Sequence, residues 1–365
     1  MHILNIMQCT NLGGTEHASL RLMQGMQQRG HSFQVVSMNS LGAFAPKLAE
    51  NGIDAVGIPF RGKLGWRSYF RARQVLRSTQ ADAVVMTGPT LAGILSLRKR
   101  TPEPRVLAVH FHHAGRPLWA WRALYRAVLL RFQAVTFPSD FIRREALDIA
   151  PALESISHTL YNPIPLCSPP TPEDKVKARK RLGLPVGQPI VGNAGWLIRR
   201  KRFDVFLRVA RSVLDRLPNA VFAIAGGGVL RDQLEQLSRD LNISQSIFWL
   251  GWQQNLEPFY RAIDVLLFNS DFDAMGLTPL EAAATGVPVV TSVIHGGLGE
   301  ILGDGGAALL IQQHDIERLA NSCAKLLSDC DYARKAGLVG RDRVAIRCST
   351  AESVDKLEKV LRLKE

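Results

Sequence analysis

Between residues 271 and 288 the chain reads DFDAMGLTPLEAAATGVP, and these residue types at these spacings suit the holding of a phosphorylated sugar. An apolar run, 265–268, comes first and reads as a buried parallel strand. Two acids follow, then a small-residue turn at 274–276, then a helix expected over 278–285, ended by Gly286 with Pro288 beyond. Small residues leading into a helix leave backbone N–H groups unpaired and pointing outward. With the helix dipole behind them, such groups bind phosphate oxygens. Asp273 and Glu281 stand eight positions apart, one in the loop and one about a turn into the helix. Carboxylates there can accept hydrogen bonds from sugar hydroxyls while the loop amides Gly276, Leu277 and Thr278 hold a diphosphate. A nucleotide sugar presents both groups.

Other residues that could do chemistry fall at the ends of apolar runs. Gly13 and Gly14 follow the run 2–7 and precede Thr15, expected to cap a helix that runs to Arg29 and stops at Gly30. A strand, a glycine turn and a helix start make a phosphate-binding corner, but the spacing is not GxGxxG, which argues against a nicotinamide dinucleotide. His110, His112 and His113 close the run 106–111, and alternate residues of an extended segment share a side. No carboxylate or cysteine stands at ligand spacing from them, so no metal is expected. The basic run Arg199, Arg200, Lys201 and Arg202 follows the strand-like 190–194 and Gly195. Gly226, in the triplet 226–228 after the run 221–225, permits close backbone approach to a ligand.

The stretch 273–282 resembles the signature of retaining nucleotide-sugar glycosyltransferases of family four, whose fold is GT-B. Their pattern runs Glu-Gly-Phe-Gly-Leu-Pro, two variable residues, then Glu-Ala. Here Gly276, Leu277, Glu281 and Ala282 match, and Asp273 stands for the first glutamate. A second family pattern, Gly-Arg-Leu followed by Lys-Gly-x-Asp, is met at Gly195, Leu197, Lys201 and Asp204, with Trp196 for the arginine and Arg202 for the glycine. Gly13, Gly14 and Glu16 fit the family's Gly-Gly-x-Glu turn, and Gly296, Gly297 and Glu300 its closing Gly-Gly-x-x-Glu. The resemblance implies that Glu281 binds the nucleotide ribose, Asp273 the donor sugar, and residues 276–278 the phosphates. By the same resemblance Lys201, with Arg200 replacing the missing arginine, neutralises the departing diphosphate, where electrostatic help lowers a barrier most. It places Gly13, Gly14, Gly226 and Trp252 around the donor, His110 or His112 beside the reacting carbon, and Glu16 on the acceptor side. The activity implied is transfer of a hexosyl group, from a UDP-sugar by preference, to a glycan or lipid-linked acceptor with retention. Bacterial envelope polysaccharide or lipopolysaccharide synthesis is the setting it suggests. The alternatives are a nucleotide-sugar epimerase on the same fold, or a basic nucleic-acid- or membrane-binding module.

These residues must be carried by alternating strands and helices. Apolar runs at 2–7, 32–37, 55–58, 83–87, 106–111 and 134–138, with helical patterns between them, imply a parallel sheet covered on both faces. The prolines at 165, 169, 170 and 172 mark an interdomain linker, and a second alternating set begins at 189. The expected fold is therefore α/β, GT-B, with two Rossmann-like doubly wound domains facing across a cleft. Its expected parts are 1–168 on the acceptor side, a linker 169–186, a nucleotide-sugar domain 187–347 and a C-terminal helix 348–365 crossing back to the first domain.

Composition sets the surroundings. With 46% hydrophobic and 21% charged residues, the 365-residue chain can bury two cores. Five scattered cysteines, without a CxxC pair, read as reduced thiols. No signal-peptide layout or apolar run of membrane-spanning length is present, so a cytoplasmic protein is expected; the resemblance implies a nucleotide sugar as substrate and no cofactor. The net charge of +13 favours an anionic partner. Arg61, Lys63, Arg67, Arg71, Arg73 and Arg77 lie among Trp66, Tyr69 and Phe70, and Arg116, Arg122, Arg126 and Arg131 among Trp119 and Trp121. Basic heads on aromatic bodies suit an anionic membrane surface at the inner face of the cytoplasmic membrane, rather than nucleic acid. A core-packing helix with a solvated basic face is the other reading of both stretches.

Overall fold

The computed structural model describes residues 1–58, 66–97, 103–110, 117–292, 295–303, 308–311 and 315–362. His112, His113, Arg116 and the positions 61–65 of the basic stretch lie outside them. The chain forms two compact units, one of Met1–Pro163 with Thr350–Glu365, the other of Ile164–Ser349.

The first unit is built on β1 (His2–Met7), β2 (Ser32–Ser37), β3 (Asp54–Gly57), β4 (Ala83–Thr87), β5 (Arg105–Ala108), β6 (Ala134–Phe137) and β7 (Ser157–Thr159). They pair in parallel in the order β3-β2-β1-β4-β5-β6-β7. Between them run α1 (Gly14–Gln27), α2 (Ala45–Glu50), α3 (Trp66–Ser78), α4 (Leu91–Ser96), α5 (Leu118–Leu129) and α6 (Asp140–Ile149). The strands are Val- and Ile-rich because helices cover both faces. Strand order reverses beside β1, so the loop after it opens at the switch point, where open α/β sheets bind ligands.

The second unit has β8 (Ile190–Ala194), β9 (Val221–Ala225), β10 (Ile247–Gly251), β11 (Val265–Phe268), β12 (Phe272–Asp273), β13 (Val289–Ser292), β14 (His295–Gly296) and β15 (Ala308–Ile311). Six form a parallel sheet, β10-β9-β8-β11-β13-β15, and β12 and β14 pair separately. Its helices are α7 (Pro172–Arg181), α8 (Phe203–Leu214), α9 (Arg231–Asp240), α10 (Glu257–Ala262), α11 (Leu277–Ala284), α12 (Leu298–Leu302), α13 (Ile316–Ser328) and α14 (Cys330–Cys348). Here the order reverses beside β8, which brings the loops after β8 and β11 together. The chain ends with α15 (Thr350–Leu361), which packs on the first unit. Val354, Leu357, Val360 and Leu361 join Met23, Met26 and Phe33 in one core, and a Cβ on Gly25 would meet Thr350 Cγ2 at 2.6 Å. Among the described residues no helix is long and apolar enough to cross a membrane.

Three local expectations are corrected. The prolines of 165–175, expected to block regular structure and mark a linker, run into α7. Pro172 stands at the start of this helix, where a missing N–H costs nothing, and Thr171 and Asp174 form a reciprocal capping box. Asp264 then holds the helix by accepting from Lys175 and Arg179, both at 2.7 Å. Thr15 is not a cap, because α1 starts at Gly14 with extended Gly13 before it. β5 ends at Ala108, two residues short of His110.

Candidate functional site

The loop expected to hold phosphate is built as a left-handed turn into a helix. Gly276 takes φ 76° and ψ 69° at the N-cap of α11, a conformation open to glycine at little cost. Pro279, third in the helix, has no N–H to leave unpaired. The N–H groups of Leu277 and Thr278 remain, and no side chain caps them. Both residues are partly exposed, so the mouth of the helix is open. The Thr278 hydroxyl donates to the Ala194 carbonyl at 3.3 Å, which ties the helix to the end of β8.

Glu281, one turn in, accepts a hydrogen bond from the buried Tyr260 hydroxyl at 2.8 Å. Tyr260 escaped sequence reasoning, since it lies on α10, 21 residues earlier, and no local pattern joins the two. Its bond fixes one carboxylate oxygen.

Asp273 and Lys201 meet. The Lys201 ammonium donates to Asp273 Oδ2 and lies 5.1 Å from the centroid of the Phe268 ring. Asp273 is held on β12, beside Gly296 of β14. A Cβ on Gly296 would fall 1.6 Å from the Asp273 carbonyl oxygen, so only glycine permits this approach. Arg200 is exposed and lies 5.8 Å from the centroid of Phe272, while its carbonyl accepts from the Asp271 N–H at 2.9 Å. The two loops therefore bring two cations and a carboxylate to one edge of the sheet.

The glycine loops serve close backbone packing. Gly195 N–H donates to Ala225 at 3.0 Å, Leu197 N–H to Gly227 at 2.9 Å, and a Cβ on Gly226 would lie 1.9 Å from the Gly195 carbonyl. Trp196 and Trp252 stand at this rim with centroids 4.4 Å apart and planes 39° apart, each partly exposed. Arg202 has φ 50° and ψ 46°, a left-handed backbone that costs a non-glycine residue about 1–2 kcal/mol. Its guanidinium bonds Asp204 and Asp271. Burial would raise the Asp204 pKa, but the Arg202 contacts hold it below the usual carboxylate range. The left-handed arginine was visible in sequence only as a residue out of place.

In the first unit, a Cβ on Gly13 would meet Glu16 Oε2 at 2.6 Å, and Gly14 is exposed. Glu16 is buried and Cys9 Sγ lies 3.4 Å from its Oε1; burial pushes both groups' pKa values up. The His110 residue is partly exposed, yet its Nδ1 is enclosed and has no partner among the described residues. Burial lowers its pKa to about 4, so the ring is neutral near neutral pH. It borders a cavity of about 30 Å³, with Asn5, Ser19, Thr87 and Thr136 on the wall, room for one or two waters. No described group of three His, Cys, Asp or Glu residues could hold a metal ion.

Surface aromatics divide by helix face. On α5, Trp121, Leu124, Tyr125 and Val128 are core, whereas Trp119 is 73% exposed beside exposed Arg122 and Arg126. Phe70 on α3 is likewise 63% exposed.

Comparison with known proteins agrees with this layout. Residues 174–343 match the family described as Glycosyl transferases group 1, and residues 12–166 that described as Glycosyltransferase Family 4. A D-inositol 3-phosphate glycosyltransferase of Nocardia farcinica is 35% identical over 176 residues, 46% of this chain and 39% of that protein. The chain thus spans about two fifths of this relative's length. A GDP-mannose-dependent alpha-(1-6)-phosphatidylinositol monomannoside mannosyltransferase of Mycobacterium tuberculosis is 27% identical over 310 residues, 80% of this chain and 78% of that one. The solved structure of Anabaena Alr3699/HepE in complex with UDP-glucose has the same fold, with a TM-score of 0.85 at 18% identity over 99% of both chains.

Proposed function

The chain belongs to glycosyltransferase family four, with the GT-B fold, and from that membership we propose that it transfers a sugar from a nucleotide diphosphate sugar to a glycan or lipid-linked acceptor with retained anomeric configuration. The observation that carries this reading is the open mouth of α11 beside Lys201 and Asp273. In the proposal, the amides of Gly276, Leu277 and Thr278 hold the phosphates and Glu281, oriented by Tyr260, takes the ribose. Asp273 takes a hydroxyl of the donor sugar. Lys201, aided by Arg200, stabilises the leaving diphosphate. Trp252 and Gly226 border the base and donor.

His110, with Nδ1 enclosed, has Nε2 to offer the reacting sugar, and Glu16 belongs to the acceptor side. The proposed reaction uses no metal or cofactor. The donor is proposed to be a UDP-sugar, as in the HepE complex; the mycobacterial relative, named for GDP-mannose, makes the base a point to measure. That relative's name also supports a lipid-linked acceptor; envelope synthesis at the cytoplasmic face of the membrane is part of the proposal.

Thermal denaturation with a panel of UDP-, GDP- and ADP-sugars tests the donor. One base class is expected to raise the midpoint, and Glu281→Ala to reduce that rise. No shift with any of the three sinks the reading.

A further inference from the structure

The segment that carries Asp273 has an incomplete polar floor. Asn269, where it leaves β11, is 1% exposed, and neither its Oδ1 nor its Nδ2 has a partner among the described residues. Ser292 Oγ, at the end of the neighbouring β13, is buried and unpartnered as well. Buried polar groups in folded proteins are nearly always paired, so this floor contributes little to fixing the segment.

Besides the pairing of β12 with β14, the segment is fastened from the Lys201 side. Asp271 N–H donates to the Arg200 carbonyl at 2.9 Å, while the Ser270 hydroxyl gives its one proton to the Phe272 carbonyl at 2.7 Å. Arg202, the residue after Lys201, donates from Nη1 to Asp271 Oδ1 at 3.1 Å. The same guanidinium grips Asp204 with two parallel bonds, Nε to Oδ1 and Nη2 to Oδ2, both 3.0 Å. Asp204 lies in the first turn of α8. One planar group thus joins the start of a rigid helix to the loop two residues before Asp273, a geometry that lysine cannot reproduce. The left-handed backbone of Arg202 reverses the chain between Lys201 and α8. Glycine would take that conformation without strain, so the arginine side chain must supply something glycine lacks.

We propose that Arg202 is a positioning residue, a clamp that fixes the spacing of Lys201 and Asp273 by holding Asp271 against the first turn of α8. The proposal rests on the donor-site reading for its consequence in catalysis, though not for the clamp itself. A purely structural arginine would serve α8 alone, and its loss would appear as lost stability.

The test compares Arg202→Gly, Arg202→Lys, Asp271→Asn and the Arg202→Gly/Asp271→Asn pair in the full chain. Because relief of the backbone strain partly offsets the lost bonds to Asp204 and Asp271, Arg202→Gly is expected to lower the melting temperature only by a few degrees. Amide hydrogen exchange over residues 269–276 is expected to quicken about tenfold or more in that variant. With the donor found by the nucleotide-sugar panel, kcat/KM is expected to fall about tenfold or more, with Arg202→Lys recovering part and the pair falling no further than the worse single change. Unchanged exchange over 269–276 overturns the clamp, as does a loss of activity that follows melting temperature alone. Activity within about twofold of the parent removes its catalytic consequence. If the parent binds no nucleotide sugar, the donor-site reading fails while the exchange measurement still decides the clamp.

Discussion

A lysine already seated on a carboxylate and over a ring keeps its charge in place before any ligand arrives, and Lys201 is held in this way by Asp273 and Phe268. Such preorganisation acts where charge develops in the transition state. Lys201→Ala is expected to lower turnover about 10²–10³-fold at saturating donor, while initial rates equal to the parent's remove Lys201 from the mechanism. His110 gives a different signature. Its pKa falls from the ordinary 6.5 to about 4, so the unfolded chain binds a proton over that interval which the folded chain refuses. Stability therefore falls as pH drops from 6.5 towards 4, and the loss levels off below. In urea unfolding across that interval, His110→Gln is expected to show a shallower dependence on pH than the parent; equal slopes remove His110 from the acid response.

At the level of elements, what was legible followed from local punctuation. The helix expected at 278–285 lies at Leu277–Ala284, because glycines and a proline bracket it closely in sequence. The alternation of strands and helices was legible for the same reason, since buried parallel strands are continuous apolar runs. The proline-rich stretch misled because proline breaks a helix interior yet suits its first turn, and four prolines in a row of eight residues drew attention away from Thr171 and Asp174. Pairings across distance were not legible at all. Arg202 meets Asp271 from 69 residues away and Glu281 meets Tyr260 from 21, so each depends on which strands become neighbours. Lys201 and Asp273 were each singled out, but their pairing has the same origin and was not foreseen.

Over the whole molecule, the excess of +13 is joined on the first unit by exposed rings, Phe70 on α3 and Trp119 on α5, the latter beside Arg122 and Arg126. A lipid-linked acceptor would favour such a surface at a headgroup boundary. The protein is expected to sediment with vesicles of anionic phospholipid, less so at high salt, and less in a Trp119→Ala/Arg122→Ala variant. Equal sedimentation with neutral vesicles, or none with either, counts against this surface.

The placement of α15 has a consequence for biosynthesis. The apolar side of α1 that Val354 and Leu357 cover leaves the ribosome long before its cover, which emerges only after Ser349. At roughly 5–20 residues per second, that side waits on the order of ten seconds or more, while the second unit has all its own residues before then. The first unit is thus begun before the second and completed after it.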